Sequence, residues 1–295
     1  MIALVLATGL ACGGSGSAGK AERTVVAAFY PLAYAAERLV PPGTAVRNLT
    51  PPGVEPHDFE LSARDVSRLA DADAVLYLGE GFQPALEAAL GSTGAHGVDL
   101  LAELALREPP ATHEPAADDN PEDHGSEGRD PHVWLDPRQY ARVVERIAVE
   151  LGRPEQGRVL VAELEQLDRE FARGLHNCAR RELVTSHDAF GYLADRYGLE
   201  QVALTGLSPE AEPTPGALRE LIEEVRERGA TTIFFETLVS PRLAETVARD
   251  VGARAAVLNP LEGLTEDELA RGEDYFSVMR ANLAALRLAL GCRPQ

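Results

Sequence analysis

The chain has 295 residues, 45% of them hydrophobic, which is enough for a sizeable core in one large domain or two. Its 28 basic and 47 acidic residues leave a net charge of -19, which argues against nucleic-acid binding by phosphate neutralisation and favours attraction of cations.

Met1 to Cys12 form an apolar run too short to span a bilayer as a helix, followed by a Gly/Ser tether. A cysteine after such a run resembles a bacterial lipoprotein signal with Cys12 lipidated, although no Lys or Arg precedes the run and Gly9 stands where leucine is usual. Simple secretion is the alternative. Thr24–Phe29 reads as a buried strand, and Tyr30-Pro31 begins a helix that Pro41-Pro42-Gly43 breaks. A second strand over Ala45–Leu49 leads into a loop in which Pro56 fixes its own backbone and restricts Glu55, so His57 is presented on a stiff turn. Ser62 and Asp65 have the spacing of a helix start, then Ala74–Leu78 is a strand, Gln83–Leu90 a helix and Val98–Leu100 a short strand.

From Glu108 to Asp130 the hydrophobic period stops. This stretch holds eight carboxylates against the single Arg129, together with His113 and His124. It reads either as a solvated loop or as an auxiliary metal-collecting loop beside His132. Asp136-Pro137 is a helix start, with Asp as cap and Pro at the first helical position. A longer helix from Pro154 to about His176 places Leu160, Leu164, Leu167, Phe171 and Leu175 on one stripe, with Asp168 among the charged residues of the opposite face.

The second half repeats the alternation, with strands predicted at Glu182–Thr185, Gln201–Leu204, Thr231–Phe235 and Ala255–Leu258 and helices between them. Thr265 and Glu268 have capping-box spacing, and the last helix holds Tyr275, Val278, Met279, Leu283 and Leu286. Alternation in both halves predicts an α/β fold of two lobes, each with a parallel sheet flanked by helices. The expected division is 1–23 signal and tether, 24–152 N-terminal lobe with its acidic loop over 108–130, 153–178 rigid linking helix, and 179–295 C-terminal lobe. Cys178 and Cys292 both fall in the second half, where an oxidising compartment would let them pair; two free thiols is the other reading.

Three histidines stand in matching contexts, each beside a carboxylate and at the edge of an apolar segment: Glu55-Pro56-His57-Asp58, Asp130-Pro131-His132-Val133 and Ser186-His187-Asp188. His57, His187 and Glu262 each follow a predicted strand, at the sheet edge where open α/β folds bind ligands. Three imidazoles and one carboxylate make a closed tetrahedral shell, which signals binding rather than catalysis. Glu236 is a rival carboxylate at another strand end and Asn259 a neutral one. Asp58, Asp136 and Asp188 are candidates to orient the rings, with helix capping the competing role for the last two.

Gly53–Glu60, Asp130–Pro137, Thr185–Tyr192 and Asn259–Glu262 together resemble the metal-binding solute-binding proteins of ABC transporters, zinc branch. The resemblance spans roughly Thr24 to Leu290. It implies two lobes joined by a rigid helix, a metal in the interlobe cleft, and a membrane permease as partner. It also implies His57, His132 and His187 as ligands, with Glu262 the expected fourth. A carboxylate usual at the third position in the manganese branch is here His187, which favours zinc, because manganese prefers oxygen donors. The expected protein is an extracytoplasmic Zn2+-capture protein, monomeric and without enzymatic activity, at the periplasm or cell surface. A manganese or iron carrier is the alternative within the family. A zinc hydrolase is the alternative outside it, but neither a His-Glu-x-x-His helix nor an evident nucleophile triad is present.

Overall fold

The computed structural model describes residues 23–108, 128–209 and 213–293. Cys12, and His113 and His124 of the acidic stretch, lie outside the described residues. In the first lobe β1 (Arg23–Ala27), β2 (Thr44–Asn48), β3 (Ala74–Tyr77) and β4 (Gly97–Asp99) alternate with α1 (Tyr30–Leu39), α2 (Ala63–Ala70) and α3 (Pro84–Thr93). All pairings are parallel, in the order β2-β1-β3-β4. The residues chosen at the joints explain the breaks. Pro31 sits in the first turn of α1, the Ser62–Asp65 pair closes a reciprocal capping box on α2, and Gly94 takes the left-handed conformation that ends α3.

A short 3-10 turn over Val133–Leu135 leads to α4 (Pro137–Glu150), whose first turn is capped by the Asp136 carboxylate accepting from Arg138 N–H. Then α5 (Pro154–Leu175) extends for 22 residues, roughly 33 Å at ~1.5 Å per residue. Its Leu160, Leu164, Leu167, Phe171 and Leu175 are buried.

The second lobe repeats the first in topology. β5 (Glu182–Thr185), α6 (Gly191–Tyr197), β6 (Glu200–Ala203), α7 (Pro215–Glu227), β7 (Thr232–Phe235), α8 (Arg242–Val251) and β8 (Arg254–Val257) form a parallel sheet in the order β6-β5-β7-β8. The chain ends in α9 (Glu266–Ala270), with the Thr265–Glu268 capping box, and α10 (Tyr275–Ala289), capped by Asp274. One continuous apolar core runs from the first sheet through α4, α5 and α10 to Leu183, Phe190 and Leu258 of the second lobe. Among the described residues, a separate, smaller core lies between the second sheet and α7 and α8. The lobes are therefore welded through shared apolar packing rather than strung on a linker. A disulfide joins Cys178, just past α5, to Cys292, just past α10. Among the described residues, no helix is long and apolar enough to cross a membrane.

Asp168 corrects the sequence reading, which placed it on the solvent face of α5: it is 2% exposed. Arg138 of α4 donates to it at 3.0 Å, Arg196 of α6 at 2.9 and 3.0 Å, and the Tyr197 hydroxyl at 3.2 Å. A charged residue can face inward here because the cations that meet it come from helices remote in sequence, which helical periodicity on α5 cannot show. Burial alone would raise its pKa, but the two guanidinium groups outweigh it and hold the carboxyl below its ordinary value of 3.8. A carboxyl depressed in the folded state contributes stability at and above that ordinary value, and the contribution is lost as pH falls through the folded-state pKa. Both arginines reach water, so Asp168→Asn is expected to cost a modest ~1–3 kcal/mol at neutral pH. In urea melts the gap between variant and parent should narrow below pH 4; a gap independent of pH would remove the ionic account.

Candidate metal centre

Each ligand candidate is delivered by a different local device. His57 rides the loop after β2, where Gly53 (φ 77°) turns the chain and donates across the lobes to Leu264 O at 3.0 Å. The Glu55 carboxylate accepts the N–H groups of His57 (2.9 Å) and Asp58 (3.3 Å), and Phe82 packs edge-on to the His57 ring at 4.5 Å. His132 enters the 3-10 turn, and its Nδ1 bonds Asp130 Oδ1 at 2.9 Å. His187 stands two residues past β5, with Nδ1 2.6 Å from Glu236 Oε1 at the end of the adjacent β7. The Ser186 hydroxyl donates to the same Glu236 oxygen.

Glu262 sits on a scaffolded loop. Asn282 of α10 clamps the Asn259 backbone by accepting its N–H (2.9 Å) and donating to its carbonyl (2.7 Å). Asn259 Oδ1 accepts from Leu261 N–H at 2.7 Å, and Leu261 adopts φ 59° in the left-handed region. From the first lobe, the Trp134 indole donates to Pro260 O at 2.7 Å, and Tyr275 in turn donates to Trp134 O at 2.7 Å. A non-glycine residue at positive φ costs free energy, so it is held there by the surrounding bonds.

The result is convergence. The Nε2 atoms of His57, His132 and His187 lie 3.4, 3.3 and 3.1 Å from one oxygen, Glu262 Oε1. One ligand atom from each of the four residues falls within 4.8 Å of every other. A regular tetrahedron whose corners are about 2.0–2.1 Å from its centre has edges of about 3.3–3.4 Å, so the ligand-to-carboxylate spacings suit an ion of zinc's bond lengths. With the Nδ1 protons of His132 and His187 given to Asp130 and Glu236, their Nε2 lone pairs face the cavity. The Nε2 atoms of His57 and His132 and Glu262 Oε2 are buried without hydrogen-bond partners, an arrangement a cation would satisfy. The side chains of His132, His187 and Glu262 are fully buried, and that of His57 retains 9% exposure, so the approach lies on its side.

The electrostatics point the same way. Burial would raise the Glu262 pKa, but the His187 charge and the close approach of all three imidazoles hold it well below the carboxylate range. Burial would lower His187, yet Glu236 and Glu262 outweigh it and raise it well above the ordinary imidazole value. Burial likewise opposes, and Asp130 and Glu262 overcome it to raise, the pKa of His132. His57 is lowered, chiefly by burial, because its only carboxylate partner is Glu262. Burial and then the Glu262 charge push Glu55 up to about 9. Metal binding at His132 and His187 is therefore a competition with protons, because both imidazoles are shifted towards their protonated form.

The three aspartates suggested as ring acceptors do not serve. Asp58 is exposed and Asp136 caps α4. Asp188, raised to about 6 by burial, keeps a carboxylate oxygen without a partner. Asp130 and Glu236 take that role instead. Glu236 touches Nδ1 of His187, the nitrogen turned away from the ligand cluster, and Asn259 braces the Glu262 loop, bonding Thr237 and Glu268. The Asp130–His132 spacing was a usable signal for the first acceptor. The second depends on β5 and β7 being neighbours, which only the sheet order reveals.

Two α/β lobes thus share, among the described residues, one buried cluster of metal-ligand type in their seam. Residues 25–289 match the family described as zinc-uptake complex component A, periplasmic, and the chain belongs to that family. It is 36% identical over 284 residues to "Zinc-binding protein AdcA" of Streptococcus pyogenes serotype M3, covering 90% of this chain and 55% of that protein. The chain thus spans about half the length of such curated relatives. It is 33% identical over 297 residues to "High-affinity zinc uptake system protein ZnuA" of Bacillus subtilis, covering 95% of this chain and 93% of the relative. In structure it is similar to the Zn(II)-bound ZnuA-like domain of Streptococcus pneumoniae AdcA, with a TM-score of 0.73 and 34% identity over 91% of this chain and 98% of that one.

Proposed function

We propose that this chain captures a single Zn2+ ion through His57, His132, His187 and Glu262 and passes it to the permease of an ABC importer. The observation that carries the reading is the meeting of three imidazole Nε2 atoms on one carboxylate oxygen at 3.1–3.4 Å. Three nitrogens and one oxygen suit zinc better than manganese, which prefers oxygen ligands. The Glu262 carboxylate takes the fourth position that a zinc hydrolase would leave for water, so the site acts by holding and releasing the ion. The protein works as a monomer outside the cytoplasm, tethered by a lipid on Cys12.

The test is equilibrium metal binding by the chain that follows Cys12, with manganese in large excess. One zinc per chain, retained against manganese and read by native mass spectrometry and chelator competition, is the expected result. Manganese displacing zinc, or several weak zinc sites, would defeat the assignment.

A further inference from the structure

The acceptor that orients His132 is itself held from the other lobe. The Asp130 side chain is fully buried, and its Oδ1 accepts both the backbone N–H and the ring Nδ1 of His132, each at 2.9 Å. Its Oδ2 accepts from Arg107 Nη1 at 2.9 Å. Arg107 also receives the Asp130 N–H on its carbonyl at 3.0 Å, so the two residues are bonded through both backbone and side chain.

The remaining contacts of Arg107 reach α6 in the second lobe. Its Nε donates to Asp195 at 2.7 Å, and its backbone N–H donates to the Tyr192 hydroxyl at 2.9 Å. That hydroxyl donates onward to Asp130 O at 2.8 Å, and the guanidinium lies 5.7 Å from the centre of the Tyr192 ring. The first residue of α6 is Gly191, and a Cβ built there would fall 1.6 Å from Arg107 Nη1. The helix therefore begins with glycine where the guanidinium passes. By contrast, Glu236, the acceptor for His187, belongs to the same lobe as its histidine.

We infer that Arg107 is a positioning residue for metal capture, which aims His132 through Asp130 and makes that aim depend on the seating of α6 against the first lobe. The inference rests on the zinc-capture reading above. An arginine suits the task because its rigid fork serves two carboxylates at once, which a lysine ammonium on a flexible stem does less well. Support behind a metal ligand of this kind is typically worth 10–100-fold in affinity.

The experiment is a double-mutant cycle on zinc dissociation constants, measured by chelator competition, using Arg107→Gln, His132→Ala and the combined variant. Arg107→Gln is expected to weaken zinc binding 10–100-fold in the parent chain and by less than about twofold once His132 is absent. Arg107→Lys should recover part of the loss. Gly191→Ala, which drives the guanidinium from its place, should lower affinity in the same direction and takes over the cycle if Arg107→Gln does not fold. Equal losses with and without His132 would overturn the inference, since Arg107 would then act only on general stability. No loss in the parent chain would overturn it too. A parent chain that holds no zinc would overturn the capture reading itself, an outcome the unsubstituted control separates from the others.

Discussion

His187→Ala is expected to weaken zinc binding by about a hundred- to a thousandfold while leaving the fold in place. Structural zinc sites are worth roughly 10–16 kcal/mol over four ligands, so one ligand carries about 2.5–4 kcal/mol, or roughly two to three decades of affinity. His187 should sit at the upper end. It is fully buried, makes the shortest approach to Glu262 (3.1 Å), and is locked by Glu236 at 2.6 Å, so no water can readily replace it. His57→Ala should cost less, because that ring is partly exposed and, among the described residues, no second carboxylate orients it. Chelator competition in a common buffer checks both. A loss smaller than tenfold for His187 would mean that the cluster is not the high-affinity site.

Replacing Cys178 and Cys292 together by alanine is expected to lower stability by about 2–5 kcal/mol, the usual range for loss of a native disulfide. The bond closes a span of 114 residues that contains the whole second sheet, so in the chain-entropy picture it removes an extensive set of unfolded conformations. Arg180 and Ala179 N–H both donate to Leu290 O beside the bond, at 3.1 and 3.0 Å. These contacts hold the ends near one another without it, which argues for loss of stability rather than loss of fold. Calorimetry of parent and variant, with and without reductant, checks this: reductant should lower the parent's midpoint towards the variant's and leave the variant unmoved. Coincident midpoints in oxidised protein would rule the bond out as a stabilising element.

Much of this architecture was legible because its signals are local. The Asp136-Pro137 start, the Ser62 and Thr265 caps and the leucine stripe of α5 all appear where neighbours in sequence dictate them. The three histidines were legible for a related reason, since each sits among carboxylates within two residues. What escaped was set by contacts between distant segments. Asp168 looked solvent-facing because Arg138 and Arg196 approach it from α4 and α6. Glu236 looked like a ligand because a strand end does not reveal which ring nitrogen it will meet. Arg107 carried no mark at all, as its meaning depends on Gly191 and Asp195 across the seam. The bracing of Glu262 by Asn282 and Trp134 belongs to the same class.

The chain's single tryptophan has an optical consequence. Trp134 is 1% exposed, its ring centre lies 5.1 Å from that of His132, and its indole N–H crosses to the loop that carries Glu262. Light emitted by tryptophan in this molecule therefore comes from one point, shielded from solvent and in contact with ligand-bearing segments of both lobes. Changes of charge on His132, or a shift of the Pro260 carbonyl, act directly on that chromophore. Trp134 is thus an intrinsic fluorophore built into the wall of the ligand cluster.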